Sequence, residues 1–349
     1  MPDPIRVVQY GLGPIGLASV AVILDKQATG HLQLVGAIDI DPDKAGRDLS
    51  VLLNRAEETG IVVAADARSL LAETRPDVVV HTTSSFLDRV QDQFVRCAEA
   101  GAHVVSSTEE LAYPFDRHPA LSAELDRVAK AHGVALLGTG VNPGFAMDTL
   151  VLAATGACTD VTRIKVERVL DAGKRREPLQ RKVGAGLSVE AWEAKKKTGT
   201  FGHIGLRESL LLVADGLGCR FDRVEETLNP MVAMERVETP FLTVQAGEAA
   251  GIHHVVAGYR GAERLVTLDL KMYVGAHEPR DAIYVEGTPP IDLVVRGGIF
   301  GDTATLAALI NAVPLVMDAP PGLRTMKDLP VPRAFAPSLA LAETLRPAS

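Results

Sequence analysis

Three glycines stand where a backbone would have to come close to something: Gly11, Gly13 and Gly16, in the run Gly11-Leu12-Gly13-Pro14-Ile15-Gly16. A G-x-G-x-x-G run alone is weak evidence, because glycine-rich turns are common. This one leaves an apolar strand-like segment at 5–10 and opens a helical apolar stretch (Leu17, Val20, Val22, Ile23, Leu24). A second strand-like run at 32–40 then carries Asp39, an acid about 20 residues past the last glycine. In that context Gly11 permits the tight turn, Gly13 lets backbone approach a pyrophosphate, and Gly16 lets helix and strand pack closely. Amides at the helix start, Pro14 and Ile15 at its first positions, face the phosphates with a partial positive charge. The acid suits a ribose diol. The pattern predicts NAD or NADP, with Asp39 arguing for NAD while Lys44 and Arg47 stand ready for a 2′-phosphate.

A second chemical feature is a pair of adjacent acids, Glu109-Glu110, after a short strand at 103–106. A carboxylate beside a nicotinamide acts as general acid or base, or stabilises a cation formed on the substrate. The competing account is structural: Ser107 or Thr108 caps a short helix whose first turn welcomes both acids.

These residues need a scaffold that brings strand ends together. Up to about residue 150, strand-like runs at 5–10, 32–40, 61–64, 77–82, 103–106 and 134–137 alternate with helical patterns such as 89–100 and 119–132. Such alternation predicts a doubly wound parallel sheet. Ligands of such sheets sit beyond the carboxyl ends of the strands. That rule selects the glycine turn, Thr83-Ser84-Ser85, Ser107-Thr108-Glu109-Glu110 and Thr139-Gly140-Val141-Asn142-Pro143-Gly144-Phe145. Thr83 and Ser84 would line the nicotinamide side. Asn142-Pro143-Gly144 reads as a sharp turn and domain hinge. His81, inside a core strand, reads as a satisfied interior histidine.

Beyond residue 160 the period changes. Val266, Leu268, Leu270, Met272 and Val274 alternate with Thr267, Asp269 and Lys271, the mark of a strand with one buried and one wetter face. Runs at 163–169, 232–237, 254–259 and 291–295 read as further strands of one mainly antiparallel sheet. Helices are expected after Ser188, over 206–217, and over 303–313, capped by Asp302 and ended or kinked by Pro314. Arg168, the loop 182–188 and the segment 203–209, with His203, are candidate substrate contacts, each with a structural alternative. His253-His254 lies in a strand, so the two rings point to opposite faces and share no metal.

The whole chain narrows the function classes. Its 349 residues allow two domains, and a net charge of −8 gives no basic footprint for nucleic acid. No apolar run approaches a membrane span, residues 1–6 carry no signal-peptide pattern, and no metal motif is present. Cys97, Cys158 and Cys219 are widely spaced and odd in number, which fits reduced thiols in a cytoplasmic protein.

The motifs together resemble the NAD(P)-dependent 2,4-diaminopentanoate dehydrogenases and the related native amine dehydrogenases. The matching blocks are GLGPIG at 11–16, HTTSS at 81–85, STEELAYP at 107–114 and GVNPGFAMD at 140–148. They continue with KVGAGLS at 182–188, GHIGLRES at 202–209 and the long block at 301–330. The resemblance implies a dihydrodipicolinate-reductase-like α/β fold. A Rossmann domain over 1–143, completed by 302–349, would precede an α+β substrate-binding and dimerisation domain over 144–301 with an open, mainly antiparallel sheet. It implies a homodimer that interconverts an amine and a ketone or aldehyde, with ammonia as the second small molecule. It places the catalytic carboxylate in the acidic pair, Glu109 first and Glu110 second, with Asn142 and Pro143 at the cofactor and Phe145, Arg168 and His203 toward the substrate. A strict 2,4-diaminopentanoate dehydrogenase, a dihydrodipicolinate-reductase-like imine reductase and a non-catalytic NAD(P) sensor stand beside that reading. A substrate bearing a carboxylate requires a cation, for which Arg168 is the candidate.

Overall fold

The computed structural model describes residues 3–27, 30–199 and 201–334, and the end of the segment expected to complete the first domain lies outside them. Contacts divide the chain into two compact units, one holding residues up to Gly140 and from Asp302 onward, the other Val141–Gly301.

Unit 1 is built on β1 (Ile5–Tyr10), β2 (Leu32–Ile38), β3 (Val63–Ala64), β4 (Val78–His81), β5 (His103–Ser106) and β6 (Ala135–Gly138). A late strand, Gly322–Arg324, adds to the edge, giving the order Gly322–Arg324, β6, β5, β4, β1, β2, β3, every pair parallel. Strand order therefore reverses between β1 and β4, the switch point at which doubly wound sheets bind ligands. β4 and β6 are buried throughout, which is why they read as apolar runs without alternation. Phe94, Cys97, Leu125 and Ala129, from helices Gln91–Glu99 and Pro119–Ala131, pack with Val79, Val104 and Leu136 in one core.

Of the two outcomes expected at Pro314, an end or a kink, the end does not occur. The last helix, Gly301–Met317, runs a turn past Pro314 instead of stopping. Loss of the proline N–H costs a helix interior about 3 kcal/mol. Leu309, Ile310, Ala312, Val313 and Val316 are all buried on either side of it, and their packing offsets that loss.

Unit 2 carries a six-stranded sheet. Its strands are β7 (Asp160–Asp171), β8 (Arg223–Val232), β11 (Ala249–Arg260), β12 (Glu263–Tyr273), β13 (Arg280–Thr288) and β14 (Ile291–Arg296), in the order β14-β13-β7-β12-β11-β8. Only the β7–β12 pair is parallel. The run at 232–237 is not a strand of this sheet. Val237–Glu238 (β9) pairs with Thr243–Val244 (β10) in a separate ribbon, and the true edge strand is the polar β8. Polar residues and Pro230 hid β8 from pattern reading, and an edge position is where a strand tolerates both.

Alternation then sorts the sheet's side chains. Ile164, Val166 and Leu170 of β7, Ile252 and Val256 of β11, and Ile283 and Val285 of β13 share one core with Trp192 and the helix Leu206–Gly216. Ser188 caps Val189–Lys196 as expected, accepting from the Ala191 N–H. Trp192 sits against Gly184, whose φ of +79° and lack of Cβ give the ring its place, and donates to the Val183 carbonyl at 3.2 Å. The other face of the sheet is polar, with Glu167 held by Lys165 and Arg280, and Asp269 by His253 and Lys271.

Candidate functional site

In unit 1 the parallel ladders continue past the strand ends and fix the first residues after four of the strands side by side. The Gly11 N–H donates to the Ile38 carbonyl at 2.8 Å, Thr82 to Tyr10 at 2.8 Å, Ser107 to His81 at 3.0 Å and Thr139 to Ser106 at 2.8 Å. The chain positions after β1, β4, β5 and β6 therefore emerge in step along one edge.

The glycine turn shows what its residues are for. A Cβ on Gly16 would overlap the Gly11 carbonyl, and one on Gly11, at φ +90°, would lie 2.8 Å from the Thr82 carbonyl oxygen. A Cβ on Gly13 would meet nothing within 4 Å. Close packing thus surrounds the first and third glycines, while the second faces open space, as approach by a phosphate requires. Pro14 is the first residue of the helix Pro14–Gln27, where its missing N–H is not needed, and Ile15 follows it. Asp39, just past β2, accepts from the Leu12 N–H at 2.7 Å and the Asp41 N–H at 2.9 Å, and pairs with Lys44 at 3.2 Å. These residues fit a dinucleotide.

Behind the turn His81 is fully buried, its ring contacting Ser106 Oγ at 2.9 Å, Gln93 Oε1 at 2.7 Å and Thr83 Oγ1 at 2.9 Å. Burial pushes its pKa down to about 4, against a raising hydrogen bond from Gln93, so it is neutral near pH 7. It is the satisfied interior histidine its position suggested. Thr83 is exposed and donates to Gln93 at 2.8 Å. The Ser84 hydroxyl accepts from the Phe86 N–H, and its carbonyl accepts from Thr108 Oγ1 at 2.8 Å.

The acidic pair opens a 3-10 turn, Glu109–Ala112, with Thr108 at its N-cap position. Glu109 is half-buried and Glu110 buried. The Glu110 carboxylate accepts from the Leu87 N–H at 2.8 Å and lies 2.9 Å from His118 Nε2 and 3.7 Å from Arg117 Nε. The turn rests on Gly138, where an added Cβ would come within 2.5 Å of the Leu111 backbone.

Unit 2 gathers its own polar groups. Asn142 and Pro143 begin the turn into helix Thr149–Thr155, with Phe145 half-buried beyond them. Asp148, which sequence reasoning assigned no role, holds that turn. Its buried carboxylate accepts from the N–H groups of Gly144 and Thr149 and from Ser209 Oγ at 2.6 Å, and burial raises its pKa. Ser209 also lies 3.5 Å from Asn142 Oδ1, so the blocks at 140–148 and 202–209 meet here.

Arg168 is not a cation at the surface. It occupies the buried face of β7, 1% exposed, 3.0 Å from Asp281 Oδ1, and donates to the Ile299 carbonyl at 2.8 Å. Register explains the company: His254, Leu270, Arg168 and Asp281 pair in one row across β11, β12, β7 and β13. His254 reaches Glu226 at 2.8 Å, and the His203 ring lies 6.5 Å from the His254 ring. Burial drives the His203 pKa well below its usual value, and His254, Lys182 and Arg168 push it the same way. His203 Nε2 and His254 Nδ1 are buried with no hydrogen-bond partner among the described residues. His254 had no sequence signal beyond lying in a strand and Asp281 had none, because their partners are distant in the chain.

Among the described residues no group of His, Cys, Asp and Glu is placed to hold a metal ion, and no helix is long and apolar enough to cross a membrane.

Comparison with known proteins agrees with this architecture. Residues 145–343 match the family described as the 2,4-diaminopentanoate dehydrogenase C-terminal domain. The chain is 31% identical over 339 residues to a 2,4-diaminopentanoate dehydrogenase of Acetoanaerobium sticklandii, covering 95% of each. Among solved structures, an amine dehydrogenase from Mycobacterium smegmatis superposes with a TM-score of 0.83 at 26% identity, covering 96% of this chain and 98% of the other. A dihydrodipicolinate reductase from Paenisporosarcina sp. TG-14 shares the fold at a TM-score of 0.53 and 15% identity, over 93% of this chain and 99% of that one.

Proposed function

The chain belongs to the 2,4-diaminopentanoate dehydrogenase family, and from that premise we propose that it catalyses NAD(P)-dependent oxidative deamination of a diamino acid such as 2,4-diaminopentanoate, and the reverse reductive amination with ammonia. The observation that carries the reading is Glu109, on a turn braced at the carboxyl edge of β5, two strands from the glycine turn. Gly11, Gly13, Pro14, Ile15 and Gly16 would hold the pyrophosphate, and Asp39 the adenosine ribose. Thr83, Ser84, Asn142 and Pro143 would contact the rest of the dinucleotide. When bound, the nicotinamide takes or gives the hydride.

Glu109 is the catalytic carboxylate in this proposal. It balances the positive charge of a substrate C=N group and takes a proton from incoming ammonia. Glu110 is the weaker candidate, since its oxygens already face Leu87, His118 and Arg117. In unit 2, burial above all, and then the neighbouring His254, Lys182 and Arg168, depress the His203 pKa. His203 and Phe145 are the proposed substrate contacts on this side, whereas Arg168, 1% exposed and paired with Asp281, is committed to the core. The A. sticklandii relative's name supports an amino-acid amine over a plain alkyl amine. Asp39 supports NAD first, and Lys44, which offsets part of the charge of Asp39 and Asp41, supports NADP as a tolerated second. The proposal extends to a homodimer, which the family resemblance implies, to the cytoplasm, supported by three free cysteines, and to no nucleic-acid partner, supported by a net charge of −8.

The test follows NADH or NADPH oxidation with ammonia and a carbonyl panel that pairs 2-amino-4-oxopentanoate with carboxylate-free ketones of matched length. Ammonia-dependent oxidation, fastest with the amino acid, is expected. Glu109→Gln should lower kcat by about 10²- to 10⁴-fold while NADH affinity holds. Oxidation that needs no ammonia would reassign the chain to carbonyl reduction, and cofactor binding without any turnover would make it a sensor.

A further inference from the structure

We propose that Glu110 is a positioning residue, whose buried carboxylate latches the turn that carries Glu109 to the segments following β4 and preceding the helix Pro119–Ala131. The proposal rests on Glu109 being the catalytic carboxylate. It gives the second acid of the pair a different task from the first.

The latch has three attachments. Glu110 Oε2 accepts from the Leu87 N–H at 2.8 Å, in the 3-10 turn Leu87–Arg89 that follows β4. The same oxygen lies 2.9 Å from His118 Nε2, and Oε1 lies 3.7 Å from Arg117 Nε. His118 is itself fixed, because its N–H donates to the Pro114 carbonyl and it stands at the N-cap position of Pro119–Ala131. Two further ties run parallel to these, a backbone bond from the Glu110 N–H to the Ser85 carbonyl at 3.2 Å and a side-chain bond from Thr108 Oγ1 to the Ser84 carbonyl. Below, Gly138 lets the Leu111 backbone lie directly on the end of β6. One buried carboxylate therefore joins three stretches of chain.

Geometry separates the neighbours. A 3-10 turn has about three residues per turn, so successive side chains leave it roughly 120° apart. With Glu110 turned inward, 4% exposed, Glu109 is directed elsewhere and is half-buried. A catalytic group misplaced by about 1 Å can lose roughly 100-fold in rate. Holding this turn is thus worth a full carboxylate, although that carboxylate touches neither substrate nor cofactor.

A positioning role depends on acceptor oxygens, whereas acid–base chemistry depends on charge and a proton. Glu110→Gln keeps an acceptor for Leu87 and His118, and should stay within about fivefold of wild-type kcat, while Glu109→Gln falls by about 100-fold or more. Glu110→Ala strands the Leu87 N–H, and should cost about 10- to 100-fold in kcat with NADH affinity within about twofold. Hydrogen exchange supplies a readout independent of turnover. Amides of Leu87 and of 107–113 should exchange faster in Glu110→Ala, slightly faster in Glu110→Gln, and faster in His118→Ala, which keeps the readout available if Glu110→Ala fails to fold. Glu110→Gln falling as far as Glu109→Gln would overturn the proposal. So would unchanged exchange in the alanine variants. A wild-type protein inert toward amines would sink the functional reading, while the exchange comparison still decides the latch.

Discussion

The two units handle charge in opposite ways. At the carboxyl edge of the unit 1 sheet, acids are anchored by backbone: Asp39 by the amides of Leu12 and Asp41, Glu110 by that of Leu87. In unit 2, Arg168 and Asp281 are buried side chains that pair at 3.0 Å across two strands, as opposite charges rather than through a hydrogen bond. The first arrangement uses groups a few residues from a strand end. The second needs a register that only the finished sheet supplies. An edge site can therefore change residues without endangering its scaffold, whereas the unit 2 row couples recognition to folding.

The sharpest way to break this contrast is to remove one member of the buried pair. Burial raises the Asp281 carboxyl pKa while Arg168 lowers it, and Asp281 also accepts from the Ile299 N–H at 2.6 Å. Asp281→Ala leaves a guanidinium uncompensated inside the core, and should destabilise by about 3–5 kcal/mol. The double variant Arg168→Met/Asp281→Leu should regain most of that loss. Urea unfolding of the three proteins checks both outcomes. A single-variant loss below about 1 kcal/mol would mean that the pair is not closed off from water.

Next in size is a pH effect on unit 1. His81 titrates near 6.5 when unfolded and at about 4 when folded, because burial opposes its charge. Its folded pKa is depressed, so its contribution is fully present above pH 6.5, declines as pH falls, and is gone below about pH 4. The interval corresponds to roughly 3 kcal/mol. Wild-type stability should drop more steeply between pH 7 and 5 than that of His81→Asn, each read from urea midpoints. His203 should contribute in the same direction. Its share should shrink in salt, since Lys182 is exposed, while the share of His81 should not. Equal salt responses would erase the distinction between the two units.

Much of unit 1 was legible because its signals are local. β1 and β5 were read to the residue, and Asp39, Glu109 and Glu110 follow strand ends where the parallel sheet must present them. The unit 2 sheet was legible in part, β12 through its alternation and stretches of β7, β11 and β14 as apolar runs. β8 escaped because an edge strand with Pro230 carries few apolar residues, and β13 was passed over. The role of Arg168 depended on Asp281, and that of Asp148 on Ser209, both long-range pairings. Pro314 did not end its helix, because local propensity lost to buried packing.

A smaller effect sharpens the comparison from within unit 1. Gly138 is not at a positive φ, so its value is space alone: an alanine methyl would sit 2.5–2.7 Å from the Leu111 carbonyl group and the Ala112 nitrogen. Backbone on one side and β6 on the other leave no flexible side chain to move. Gly138→Ala should cost about 1–3 kcal/mol of stability, the usual penalty of overpacking. It should also lift the 109–112 turn and reduce kcat more than NADH affinity, because the glycine turn lies on β1, separated from β6 by two strands.

The smallest effect tests whether edge charges really are replaceable. Lys44 pairs with Asp39 and Asp41 at 3.2 Å each, and these neighbours raise its pKa against a lowering from partial burial. Its side chain is 25% exposed, so water screens the pairs, and Lys44→Ala should change stability by less than about 1 kcal/mol. Recognition should respond more than folding. Without Lys44, Asp39 keeps its full negative charge, held by the amides of Leu12 and Asp41. That charge repels a 2′-phosphate but still accepts from a ribose hydroxyl. NADPH affinity should therefore fall several-fold while NADH affinity holds, as titration of protein fluorescence with each cofactor would show. If the variant instead lost stability on the scale of Asp281→Ala, the edge of unit 1 would be as structurally committed as the row in unit 2.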